Sequence, residues 1–83
     1  MVFVQERITP AVEKLGRNYT TKVDEVDANT TYIGNAFMGS PVSEAKWQIQ
    51  KITVSGTVTT IAWAGGNDEF NKVWNDRAGL TYS

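Results

Sequence analysis

Eighty-three residues of 9.2 kDa, with eight basic and nine acidic side chains and neither cysteine nor histidine, are enough for one small domain that buries roughly 60% of the surface of its unfolded chain. The composition excludes disulfide staples, thiolate and imidazole metal sites, cysteine nucleophiles and a Ser-His-Asp triad within this chain. A formal charge of −1 without a basic tract offers no strong hold on phosphates, so nucleic acid is not an expected partner.

No apolar run approaches the roughly eighteen residues that cross a bilayer, and Met1-Val2-Phe3-Val4-Gln5-Glu6-Arg7 lacks the basic start and apolar stretch of a secretory leader. A soluble chain without a membrane partner is expected. Val, Ile and Thr fill 24 of the 83 positions, and their branched Cβ atoms favour extended backbone, so a mainly β domain is expected over 1–83.

In chain order, Val2 and Val4 alternate with Phe3 and Gln5 in a possible first strand. Thr9-Pro10 then offers a cap and a first helical proline for a turn or two through Leu15, ended by Gly16. Alternation predicts a strand from Tyr19 to Val26 and a turn at Asp27-Ala28-Asn29, where acidic and amide side chains can bond their own backbone. A strand follows over Thr30 to Gly34. Gly34 and Gly39 then bracket a segment expected to bend across the surface before Ser40-Pro41.

The clearest local signal is a hairpin from Ala45 to Ala64, with Ser55-Gly56 as its turn. That turn pairs Val54 with Thr57, Ile52 with Thr59, Gln50 with Ile61 and Gln48 with Trp63. Trp47, Ile49, Lys51 and Thr53 share the other face with Ala64, Ala62, Thr60 and Val58. Both faces carry large apolar groups, so the hairpin either lies between two layers or presents one face to a partner, unless a bulge near Gln50 re-phases the first arm.

Gly65-Gly66-Asn67 ends the hairpin, and Asn67 or Asp68 can cap a short helix whose packed face holds Phe70, Val73 and Trp74. Arg77 falls near the negative end of that helix, and Leu80 and Tyr82 return to the sheet after Ala78-Gly79. The fold class expected is a small antiparallel β-sandwich or barrel-like domain with a short C-terminal helix.

The chemistry-bearing groups read mostly as surface and structure. Asp24, Glu25 and Asp27 are the densest acidic group, but their spacing is not that of a calcium loop, and solvated side chains explain them. Asp68, Glu69 and Asp76 suit the cap and surface of a helix better than a catalytic carboxylate pair. Gly65-Gly66-Asn67-Asp68 lacks both nucleotide-binding glycine spacings. A Ser43–Lys46 dyad is geometrically open, yet such a pair is too common to define a hydrolase. No catalytic residue, metal site or cofactor is therefore expected, and the chain reads as a non-enzyme.

Trp47, Trp63 and Trp74, with Tyr19, Tyr32 and Tyr82, supply the apolar area and polar rims of binding surfaces, and equally the bulk that a small core needs. Trp63 and Trp74 fit the interior; Trp47 and Tyr32 divide between core and interface. The interface candidates are Tyr32, Trp47 and Ile49.

Thr31-Tyr32-Ile33-Gly34-Asn35-Ala36, Ala45-Lys46-Trp47-Gln48-Ile49-Gln50-Lys51-Ile52 and Phe70-Asn71-Lys72-Val73-Trp74-Asn75-Asp76-Arg77-Ala78-Gly79-Leu80-Thr81-Tyr82 together resemble small virion-associated structural proteins of tailed bacteriophages. The resemblance implies a subunit of the virion, as a head decoration or a tail or fibre component. Such a subunit assembles in many copies as a homo-oligomer or on other virion proteins, and the resemblance brings no enzyme residues. The alternative is a monomeric binding or regulatory module that recognises a host protein or glycan through one hairpin face.

Overall fold

The computed structural model describes residues 18–83; the strand expected at Val2 to Gln5 and the helix expected from Thr9-Pro10 to Leu15 lie outside them. The described chain is mainly antiparallel β-sheet with a short C-terminal helix. Strands β1 (Tyr19–Asp27), β2 (Thr30–Phe37), β3 (Ala45–Ser55) and β4 (Val58–Trp63) lie side by side in chain order, and the two-residue β5 (Lys72–Val73) pairs with the start of β3. A 3₁₀ helix over Trp74–Gly79 follows.

The turns are set by local chemistry. The Asn29 N–H donates to Asp27 Oδ1 at 2.7 Å, closing the β1–β2 connection through an acidic side chain, as the sequence predicts. β2 does not end at Gly34. It runs on to Phe37, because the residues expected to bend, Asn35 and Ala36, pair with Thr21 and Thr20 of β1.

At the hairpin tip Gly56 has φ +60°, and no described residue other than glycine has positive φ. Gly56-Thr57 is thus the two-residue loop, with glycine at its first position as a type II′ turn requires. The expected Ser55-Gly56 loop is displaced by one residue. The arms consequently slide by two, pairing Gln50 with Trp63, Ile52 with Ile61 and Val54 with Thr59. Side chains alternate with period two, so the slide leaves every residue on its expected face. The bulge near Gln50 is not there; register shifts fall at Glu25/Asp27 and at Ala45/Trp47.

One face of the sheet carries the core. Tyr32 and Ala36 of β2 and Trp47 and Ile49 of β3 pack with Ala64 and Trp74, and Val42, Leu80 and Tyr82 close over them. The indoles of Trp47 and Trp74 lie 5.8 Å apart at 38°. Each buried indole removes about 150–250 Å² from water, a gross gain of about 4–6 kcal/mol. The Trp47 Nε1–H donates to the Pro41 carbonyl at 2.9 Å, so its polar atom enters the core satisfied.

The C-terminal segment departs from the expected amphipathic helix. Phe70 precedes β5 and stacks on Tyr19 and Phe37, with each pair of centroids 5.8 Å apart. Val73 is a strand residue, and only Trp74 carries the helix onto the core. The loop before β5 is held instead by side chains: Asn67 Oδ1 accepts the Glu69 N–H, and Gln48 Nε2 donates to the Asp68 carbonyl. The Asn67 bond is one that a helix cap also makes, so the expected helix is diverted by the long-range contacts of Phe70 and of Gln48 and not by this turn. Leu80 and Tyr82 do return to the sheet, Tyr82 as a bridge opposite Ala64.

Candidate functional site

The three interface candidates lie in the core. Trp47 is 0%, Ile49 1% and Tyr32 6% exposed, so none reaches a partner without leaving the core. Their size, and for Trp47 and Ile49 a place on a hairpin face, signalled both roles, and the cover supplied by Trp74, Leu80 and Tyr82 decides for the core.

The polar candidates are also occupied by neighbours. Lys46 Nζ lies 3.3 Å from Glu44 Oε1, which places a carboxylate beside the amine of the Ser43–Lys46 pair. Glu69 Oε2 accepts from Asn71 Nδ2. Among the described residues no three acidic side chains gather closely enough to hold a metal ion. Asp24 does not fan into solvent with Glu25 and Asp27. Alternation turns it to the core face, where Arg77 Nε and Nη2 each lie 2.9 Å from its Oδ2. The Arg77 guanidinium also sits 4.5 Å from the Trp74 ring centroid and donates through Nη1 to the Trp74 carbonyl. One cation thereby ties the helix to β1 across the lid of the core.

The same rim holds Tyr82. Its hydroxyl donates to the Arg77 carbonyl at 2.7 Å, and burial first, then the Tyr32 phenol, push its pKa up to about 12 against the opposing pull of Arg77. A phenol is neutral when protonated, so a raised pKa means that the folded state holds this proton more tightly than the unfolded chain. The stabilisation is complete below pH 10 and is lost as pH rises from 10 to about 12. A phenolate absorbance titration therefore shows a component near pH 12 that disappears in Tyr82→Phe. Complete conversion near the ordinary value of 10 contradicts the assignment.

Exposed apolar groups lie on both end strands of the described sheet: Val58 is 61% and Ile61 58% exposed on β4, with Thr59 and Thr60 exposed between them, and Val23 is 55% and Val26 57% exposed on β1. No charged side chain occurs from 52 to 67. β4 is also an end of the strand order among the described residues, and the direction of its backbone groups follows from the bonds around it. Ala64 N–H donates to Ile49 C=O at 2.9 Å, and Val54 N–H to Asn29 C=O at 2.9 Å. Antiparallel pairs alternate between bonded and non-bonded positions. Val58, Thr60 and Ala62 thus bond inward to β3, while Thr59, Ile61 and Trp63 point their N–H and C=O outward. Trp63 already uses its outward pair, exchanging bonds of 3.2 and 3.1 Å with Ser83. Thr59 and Ile61 have no such partner among the described residues.

The opposite end of the sheet is built differently. β1 carries Lys22, Asp24, Glu25 and Asp27 and a register shift between Glu25 and Asp27, which are the charges and irregularity that discourage edge pairing. β4 has neither a charge nor a proline. The charge-free run around the hairpin tip is visible in the sequence and is the signal for this edge. No protein-family model matches the chain, and no curated protein or solved structure is similar to it at a significant level.

Proposed function

We propose that this chain is a non-enzymatic structural subunit of a tailed-phage virion, one that packs in multiple copies against itself or another virion protein through the β3–β4 hairpin. The observation that carries the reading is the uncharged, exposed β4 strand, in a domain whose core is covered by its own C-terminal segment. Apolar and β-branched groups left in water on a small domain gain free energy when a neighbour covers them, and repetition multiplies that gain across an assembly. The resemblance to virion-associated proteins supports the same reading from sequence, and the near-neutral charge suits protein partners better than nucleic acid.

Sedimentation velocity over a concentration series is the test. A mass that rises with concentration is expected. A monomer at every concentration, with no uptake onto virion components, overturns the proposal and favours the monomeric binding module.

A further inference from the structure

We infer that two copies of this chain join through β4, antiparallel about a two-fold axis at Thr60, so that one sheet runs continuously through both. The inference rests on the multi-copy reading above and adds to it the strand, the register and the symmetry.

The outward backbone groups choose the register. In an antiparallel pair the outward residues of one strand exchange N–H and C=O bonds with those of the other. Among the described residues Thr59 and Ile61 are the two β4 residues with outward groups left to offer, since Trp63 is bonded to Ser83. Setting Thr59 of one copy against Ile61 of the second uses all of these groups and places Thr60 opposite Thr60. Centring on Ile61 would set Thr59 against Trp63 and displace Ser83. Centring on Thr59 would set Ile61 against Thr57, which lies in the hairpin loop beyond the end of the strand.

Charge argues for a second copy as the occupant. A two-fold axis sets a strand against itself, so any charge on it meets its own sign nearby, and like charges directly opposite are destabilising. β4 carries none, whereas β1 carries three carboxylates of one sign, Asp24, Glu25 and Asp27. The irregular end of β1 also disfavours an open β1-to-β4 chain of copies, leaving the closed pair. In that pair Ile61 lies across from Thr59 on one face and Val58 across from Ala62 on the other, covering the two exposed large apolar side chains of β4. The Thr60 positions form a β-branched cross-strand contact on the axis.

The chain has no cysteine, so a single introduced thiol reports on one contact. Opposed residues at a non-bonded antiparallel position have Cα atoms about 4.5 Å apart, within disulfide range. Thr60 is exposed, and circular dichroism checks that Thr60→Cys keeps the fold. Under mild oxidation Thr60→Cys is expected to form a covalent dimer at least about tenfold faster than Lys22→Cys on β1, reflecting an aligned contact against chance collision. If the unmodified chain self-associates while Thr60→Cys links no faster than Lys22→Cys, the β4 pairing is overturned and the multi-copy reading stands. If the chain stays monomeric at all concentrations and Thr60→Cys links no faster than Lys22→Cys, both fall.

Discussion

Trp47→Ala is expected to lower the free energy of unfolding by about 3–5 kcal/mol, the range for deleting a buried aromatic side chain. Trp47 has no exposed surface, meets Trp74 at 5.8 Å and donates its indole N–H to Pro41. Truncation removes all three interactions and leaves the Pro41 carbonyl without this donor. A domain of this length has about 4–12 kcal/mol of stability in total, so the variant retains little margin. Urea denaturation checks this. A nearly unchanged midpoint combined with lost self-association would place Trp47 at an interface and contradict the core described above.

Gly34→Ala is expected to destabilise as well, by about 1–3 kcal/mol. Glycine within a strand normally weakens it relative to alanine by about 0.5–1 kcal/mol, so the sign of the effect is informative. A Cβ on Gly34 would lie 2.5 and 2.6 Å from Cε3 and Cζ3 of Trp74 and 3.1 Å from Cε3 of Trp47. Both rings are packed in the core and have no free end to swing aside. The bare backbone of β2 at this point is the floor on which Trp74 rests. Trp74→Phe, a smaller ring, should make the alanine less costly, so the double-mutant cycle shows coupling between the two positions. Thermal melts of the two single variants and the double variant measure it. A Gly34→Ala protein as stable as the unaltered chain would mean that Trp74 does not lie on this face.

Much of the sheet was legible because strands announce themselves by alternation and by what interrupts it. β1, the Asp27–Asn29 turn, the two faces of the hairpin and the return of Leu80 and Tyr82 all followed from such local rules. The hairpin register was not legible to the residue, since Ser55-Gly56 and Gly56-Thr57 are both acceptable two-residue loops and only the backbone of Gly56 separates them. Local rules also failed at Phe70. Its spacing to Val73 and Trp74 is helical, but contact with Tyr19 and Phe37 and the bond from Gln48 to the Asp68 carbonyl, all distant in sequence, overrode that period. The roles of Tyr32, Trp47 and Ile49 depended on where the C-terminal segment folds back, a long-range fact that no window of sequence contains. The Asp24–Arg77 pair, 53 positions apart, was hidden for the same reason.

On the proposed reading the covered core makes the fold and the uncharged β4 edge makes the assembly. Sedimentation equilibrium of the unaltered chain beside Ile61→Lys separates the two, because Ile61 is 58% exposed and an edge lysine blocks strand pairing without entering the core. Reversible association of the unaltered chain is expected, weakened at least about tenfold in Ile61→Lys, which corresponds to about 1.4 kcal/mol, with the same circular dichroism for both. Equal association of the two proteins, or a monomer in both, would contradict it.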